Sequence, residues 1–170
     1  MTVRPSKQQA IPLRRLKTGL AALLLAWGAG LAQAADTPST GASANDKLAA
    51  ARTQVAAKRW PEALAELRQL NDTSSADWHN LMGYVLRKNT PSDWDGADRH
   101  YREALRIDGR HKGALEYSGE LALMRGDLAQ AEQRLAVLDK VCTFGCEEYT
   151  DLKNAVQRYK AAGNKYVPGS

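Results

Sequence analysis

The sequence predicts an all-α fold: a short right-handed solenoid of about three helical hairpins, closed by a C-terminal capping helix. Three observations carry that expectation. The stretch from Trp78 to Leu138 says the same thing twice, first with Trp78, Leu81, Gly83, Ala97, Tyr101, Ala104 and Leu105, then with Leu115, Gly119, Gly126, Ala131, Leu135 and Leu138. A helix–turn–helix unit of that size cannot bury its own apolar face and must stack on neighbours. Pro61, Pro91 and Gly126 punctuate the chain where helices should start or stop. Past the repeats, Tyr149, Leu152, Val156 and Tyr159 recur at three- and four-residue spacing, one helical stripe.

The first 34 residues stand apart from the fold. Arg4, Lys7, Arg14, Arg15 and Lys17 form a basic region without an acid, and an apolar run from Leu20 to Ala32 follows. Ala32-Gln33-Ala34 then supplies a small–x–small cleavage pattern. A membrane span needs ~20 apolar residues, so this shorter run predicts a cleaved secretory signal over 1–34. Export to a bacterial periplasm is the expected address, with no membrane insertion once the signal is removed. Residues 35–45, small, polar and broken by Pro38 and Gly41, read as a flexible linker.

Discarding the signal changes the electrostatics. The chain carries 24 Lys and Arg against 19 Asp and Glu, a formal charge of +5. Five of those cations lie in the signal, which leaves the mature chain balanced at 19 of each sign. Charges of both signs alternate without a basic stripe, so nucleic-acid binding has no support.

The elements follow in order. Asp46 should cap a helix running to about Lys58, and Trp60-Pro61-Glu62-Ala63-Leu64 should open the next with proline in its first turn. Ala63, Leu67 and Leu70 give that helix its apolar face, completing a first hairpin over about 46–71. A second hairpin spans about 76–109. This hairpin resembles the tetratricopeptide pattern with a departure: Met82 stands at that pattern's small position, with Gly83 one place late. Thr90-Pro91-Ser92 breaks the chain ahead of a cap at Ser92 or Asp93. In the third, about 112–141, Gly119 falls at the small position of the first helix in that pattern, Gly126-Asp127 forms the turn and Ala131 falls at its crossing in the second. A capping helix over 146–162 and a frayed tail over 163–170 complete the chain.

Trp-x-x-Leu, a nearby glycine, Ala-x-x-x-Tyr and a closing Ala-Leu resemble the tetratricopeptide repeat over residues 46–141. In size, signal and alanine content the chain is similar to small exported members of that family from Gram-negative bacteria. The resemblance implies a non-catalytic adaptor that binds a protein or peptide along the first helices of its hairpins; its oligomeric state is open, with a monomer favoured. Carried over place by place, the lining would be Arg52 and Val55, then His79, Leu86 and Arg87, then Glu116, Glu120 and Leu123. Members that clamp a C-terminal carboxylate use lysine and asparagine there. Only Asn80 suits that mode here, and Glu116 and Glu120 would repel a carboxylate. A face with Leu86 and Leu123 exposed among charges suits an extended or helical peptide of some basic character; the alternative is a plain solvated face.

Cys142 and Cys146 are the only cysteines, held in Cys-Thr-Phe-Gly-Cys between two helices. In an oxidising compartment a close pair in a glycine turn predicts a disulfide. Closing that loop is worth roughly 2 kcal/mol by chain entropy. Thiol redox exchange or Cu(I) handling is the alternative use of the pair. Against redox stand Glu147 and Glu148, whose charge raises a thiol pKa, and the three-residue spacing. His79, His100 and His111 are scattered without the four-residue spacing of a zinc helix, which reads as solvated or core histidine. No phosphate loop, serine elbow or carboxylate pair appears, so neither catalysis nor a cofactor is expected. Self-association through the Trp60 or Trp94 surface is a further possibility.

Overall fold

The computed structural model describes residues 46–169, so the expected signal and linker lie outside the described part. Within it the chain is all-helical: α1 (Ala49–Ala56), α2 (Trp60–Leu70), α3 (Ala76–Lys88), α4 (Trp94–Ile107), α5 (Lys112–Met124), α6 (Leu128–Val141) and α7 (Glu147–Ala161). Consecutive helices pack as the pairs α1–α2, α3–α4 and α5–α6, which coincide with the three expected hairpins. Each pair touches the next through α2–α3 and α4–α5, and α7 lies on both α5 and α6. Among the described residues no helix is long and apolar enough to cross a membrane.

Side-chain caps fix where most of these helices begin. Ser75 Oγ accepts from Trp78 N–H at 3.2 Å, Asp93 Oδ1 from Gly96 N–H at 2.7 Å and Asp127 Oδ1 from Gln130 N–H at 2.9 Å. Each satisfies a donor that has no partner inside the helix, worth ~1 kcal/mol against alanine. Histidine performs the same task for α5: His111 Nδ1 accepts from Ala114 N–H at 3.0 Å. Its other nitrogen therefore carries the proton and donates to Asp77 Oδ1 at 3.0 Å, tying the start of α5 to the start of α3. Asp46 acts earlier than a cap proper, accepting from Leu48 N–H at 2.9 Å while α1 starts at Ala49.

The first and third hairpins turn the same way. At the end of α5, Gly126 (φ 82°) donates to Leu123 O and Asp127 to Ala122 O, a Schellman ending. At the end of α1, Lys58 (φ 56°) donates to Val55 O and Arg59 to Gln54 O in the same pattern. Lysine there bears a left-handed backbone that glycine would adopt freely.

Two glycines admit neighbours no other residue would. A Cβ on Gly83 would lie 2.7 Å from Tyr101 Cε1, and Tyr101 is fully buried. The late glycine of the second hairpin thus makes room for the α4 tyrosine, while Met82 packs in the core. A Cβ on Gly119 would lie 2.6 Å from Leu152 Cδ2. That glycine makes room for Leu152 of the capping helix. Trp78, Leu67 and Val85 anchor the cluster between the first two pairs, with the Trp78 indole N–H on Leu67 O at 2.9 Å. Leu115, Leu138 and Leu152 anchor the cluster under α7. Cys142 and Cys146 are bonded, with Cα atoms 5.6 Å apart, so the end of α6 is stapled to the start of α7.

Candidate binding face

Helices α3, α5 and α7 lie side by side, α3 against α5 and α5 against α7. Arg87 stands at the centre of their shared face. Its Nη1 donates to Glu120 Oε2 at 2.7 Å, and its side chain is only 3% exposed. The guanidinium carbon sits 5.6 Å from the Tyr84 ring and 5.4 Å from the Tyr117 ring, and those rings are 4.9 Å apart. Burial opposes the charge, but Tyr101 and Glu120 beside it hold the guanidinium above its ordinary pKa. It is a permanent cation. Removing one member of such a buried pair typically costs ~3–5 kcal/mol. Arg87 therefore supports the face from beneath.

Acidic groups surround that centre. Glu116 is buried, and desolvation together with Glu120, Asp151 and Glu148 pushes its pKa up to about 8, against a pull from Arg87. It is a neutral acid at pH 7. Tyr84 and Tyr117 have raised pKa values, chiefly through desolvation, and remain phenols. The face thus presents the edges of Tyr84 and Tyr117 and the carboxylates of Glu148 and Asp151, with Lys88 over the Tyr84 ring, Arg158 beside Glu120 and Asp151, and Arg87 buried beneath. A basic or aromatic partner meets complementary chemistry at Tyr84, Tyr117, Glu148 and Asp151.

The eight residues expected to line a groove divide into three groups. Arg87, Glu116 and Glu120 come together as described. Leu123 is corrected: it is 1% exposed and belongs to the core under α7, because its side of α5 faces that helix. Leu86, also expected exposed, is half-buried between two core clusters. Arg52 is exposed and paired to Asp46 at 3.4 Å, and Val55 packs on the first cluster, so neither reaches the Arg87 centre. His79 is buried elsewhere, its Nδ1 at 2.9 Å from His100 Nδ1 and its Nε2 at 3.1 Å from Thr73 O. A carbonyl only accepts, so His79 carries its proton on Nε2 and His100 donates from Nδ1. Two of the three histidines that look scattered in sequence are therefore paired through the fold. Desolvation, then His79 and Arg99, push the His100 pKa down to about 4, leaving it neutral at pH 7.

Sequence reasoning missed Tyr84 and Tyr117. Each sits three residues before a charged partner, Tyr84 before Arg87 and Tyr117 before Glu120, so each pair shares one helical face. That spacing was the available signal. Among the described residues, no three His, Cys, Asp or Glu side chains converge to hold a metal ion. No family model matches the chain, and no curated protein matches it.

Proposed function

We propose that this chain is a non-catalytic interaction module of the bacterial envelope, a short tetratricopeptide-like solenoid that holds a protein or peptide segment against α3, α5 and α7. The observation that carries the reading is the Arg87–Glu120 pair clamped between Tyr84 and Tyr117. Tyrosine is enriched at the cores of interfaces, and Tyr84 and Tyr117 stand half-buried over Arg87. Here they are ordered before any partner arrives, which lowers the entropy cost of binding. Export to the periplasm rests on the signal-like segment 1–34, and in that compartment the Cys142–Cys146 bridge serves as a staple for α7.

A second reading, thiol exchange at the cysteine pair, has one observation in its favour. Cys146 opens α7, and its Sγ accepts from Tyr149 N–H at 3.4 Å, a position that favours a thiolate. Co-purification with the tagged chain, quantified by mass spectrometry, separates the two. A chain with Cys142→Ser and Cys146→Ser keeps its partner under the adaptor reading, while Glu148→Lys with Asp151→Lys loses it. A partner lost with the cysteines and retained after charge reversal would replace the adaptor with the thiol reading.

A further inference from the structure

An aromatic row crosses the candidate face. Trp60, in the first turn of α2, meets Tyr84 of α3 edge-on with ring centroids 6.1 Å apart, and Tyr84 meets Tyr117 of α5 at 4.9 Å. All three residues are half-buried, so each keeps part of its side chain toward solvent. The two phenol rings lie against the Arg87 guanidinium, itself held by Glu120. The row is therefore ordered before anything binds to it, and a partner loses little entropy in ordering it.

The fold narrows what such a row can hold. A peptide in β conformation needs a sheet edge to pair its backbone, and the secondary structure of the described residues is helical throughout. An amphipathic helix needs a groove with apolar anchors. The leucines expected on this side are withdrawn, Leu123 into the core under α7 and Leu86 between two core clusters. A polyproline II segment needs neither device. Its backbone is solvated without pairing, its conformation is set in advance, and its pyrrolidine rings pack on aromatic faces. The scale agrees: at ~3.1 Å per residue, two residues advance ~6 Å, close to both ring spacings. Its carbonyls accept hydrogen bonds, and the Trp60 indole N–H and the hydroxyls of Tyr84 and Tyr117 are donors. Burial keeps both phenols protonated.

Charge gives the row a direction. Lys88 stands over the Tyr84 ring. On the other side of α5, α7 carries Glu148 and the exposed Asp151, with Arg158 beside Asp151 offsetting part of that charge. A cation on the bound segment is favoured at the α7 end.

We propose that Trp60, Tyr84 and Tyr117 form a stacking track for a proline-rich segment of a partner protein in polyproline II conformation, with a lysine or arginine at the end that reaches α7. The proposal rests on α3, α5 and α7 forming the binding face and extends that face to α2.

Titration of the mature chain with a synthetic oligoproline ending in lysines tests it. A control peptide keeps the lysines and replaces proline by alternating glycine and serine; it should bind roughly tenfold more weakly. In NMR spectra of the wild-type chain the Trp60 indole N–H should shift on adding oligoproline while that of Trp94, on α4, stays in place, a readout that needs no substitution. Trp60→Ala and Tyr117→Ala should each weaken binding roughly tenfold, Tyr117→Phe should retain most of it, and Trp94→Ala should leave it unchanged. Equal binding of the two peptides, or an unmoved Trp60 signal, overturns the track. So does a chito-oligosaccharide that shifts Trp60 where the oligoproline does not. Cross-links from the Tyr84 position separate the two levels of inference. A partner captured there through a segment without proline overturns the track and leaves the binding face standing, whereas no capture together with no peptide binding removes the face itself.

Discussion

Replacing Glu116 by glutamine should stabilise the protein by an amount that grows with pH. In the folded chain burial and three neighbouring carboxylates hold Glu116 protonated up to about pH 8, against 4.5 for a free side chain. A raised pKa contributes fully below the unfolded value and is lost as pH climbs through the folded one. Wild type therefore loses stability steadily between pH 4.5 and 8, while the neutral glutamine loses none at this site. At pH 7 the gap corresponds to about 3 kcal/mol. Glu120, Asp151 and Glu148 share that titration, so about half, ~2 kcal/mol, belongs to Glu116. For a domain of ~120 residues this is a rise in Tm of ~8 °C. Thermal unfolding from pH 4 to pH 9 reads it. The two chains should coincide near pH 4 and diverge until about pH 8. Parallel curves would refute the crowding of carboxylates around Glu116.

Three further changes follow from the geometry. Lys58→Gly relieves a left-handed backbone at an exposed position and should raise stability in denaturant titration by ~1 kcal/mol; a loss would mean that the lysine side chain holds the turn. Arg87→Ala leaves Glu120 without its partner and should cost ~3–5 kcal/mol by the same assay, whereas a loss below ~1 kcal/mol would show that the pair is solvated. Reducing Cys142–Cys146 should cost roughly 2 kcal/mol by chain entropy, with hydrogen exchange rising first at the start of α7.

The hairpins were legible because their punctuation is local. Pro61, Pro91, Asp93 and Gly126 act on their own neighbours, and the helix boundaries fell close to where these residues put them. Gly119 shows the limit. A small residue signals a close approach but not the identity of what approaches, and here that is Leu152 from a later helix. The face was half legible for the same reason. The repeat resemblance put Arg87, Glu116 and Glu120 among the expected lining, yet the burial of Leu123 depends on where α7 docks, which no local pattern encodes. His79 and His100 are 21 residues apart, so their pairing existed only once α3 and α4 had packed.

The most direct measurement is photo-cross-linking in living cells from a probe replacing Tyr84, at native expression, with a matched probe replacing the exposed Arg102 on α4. An adduct with a defined protein from the Tyr84 position alone, identified by mass spectrometry, is the expected result. Adducts of equal yield from both positions, or none from Tyr84, would contradict a binding face on α3, α5 and α7.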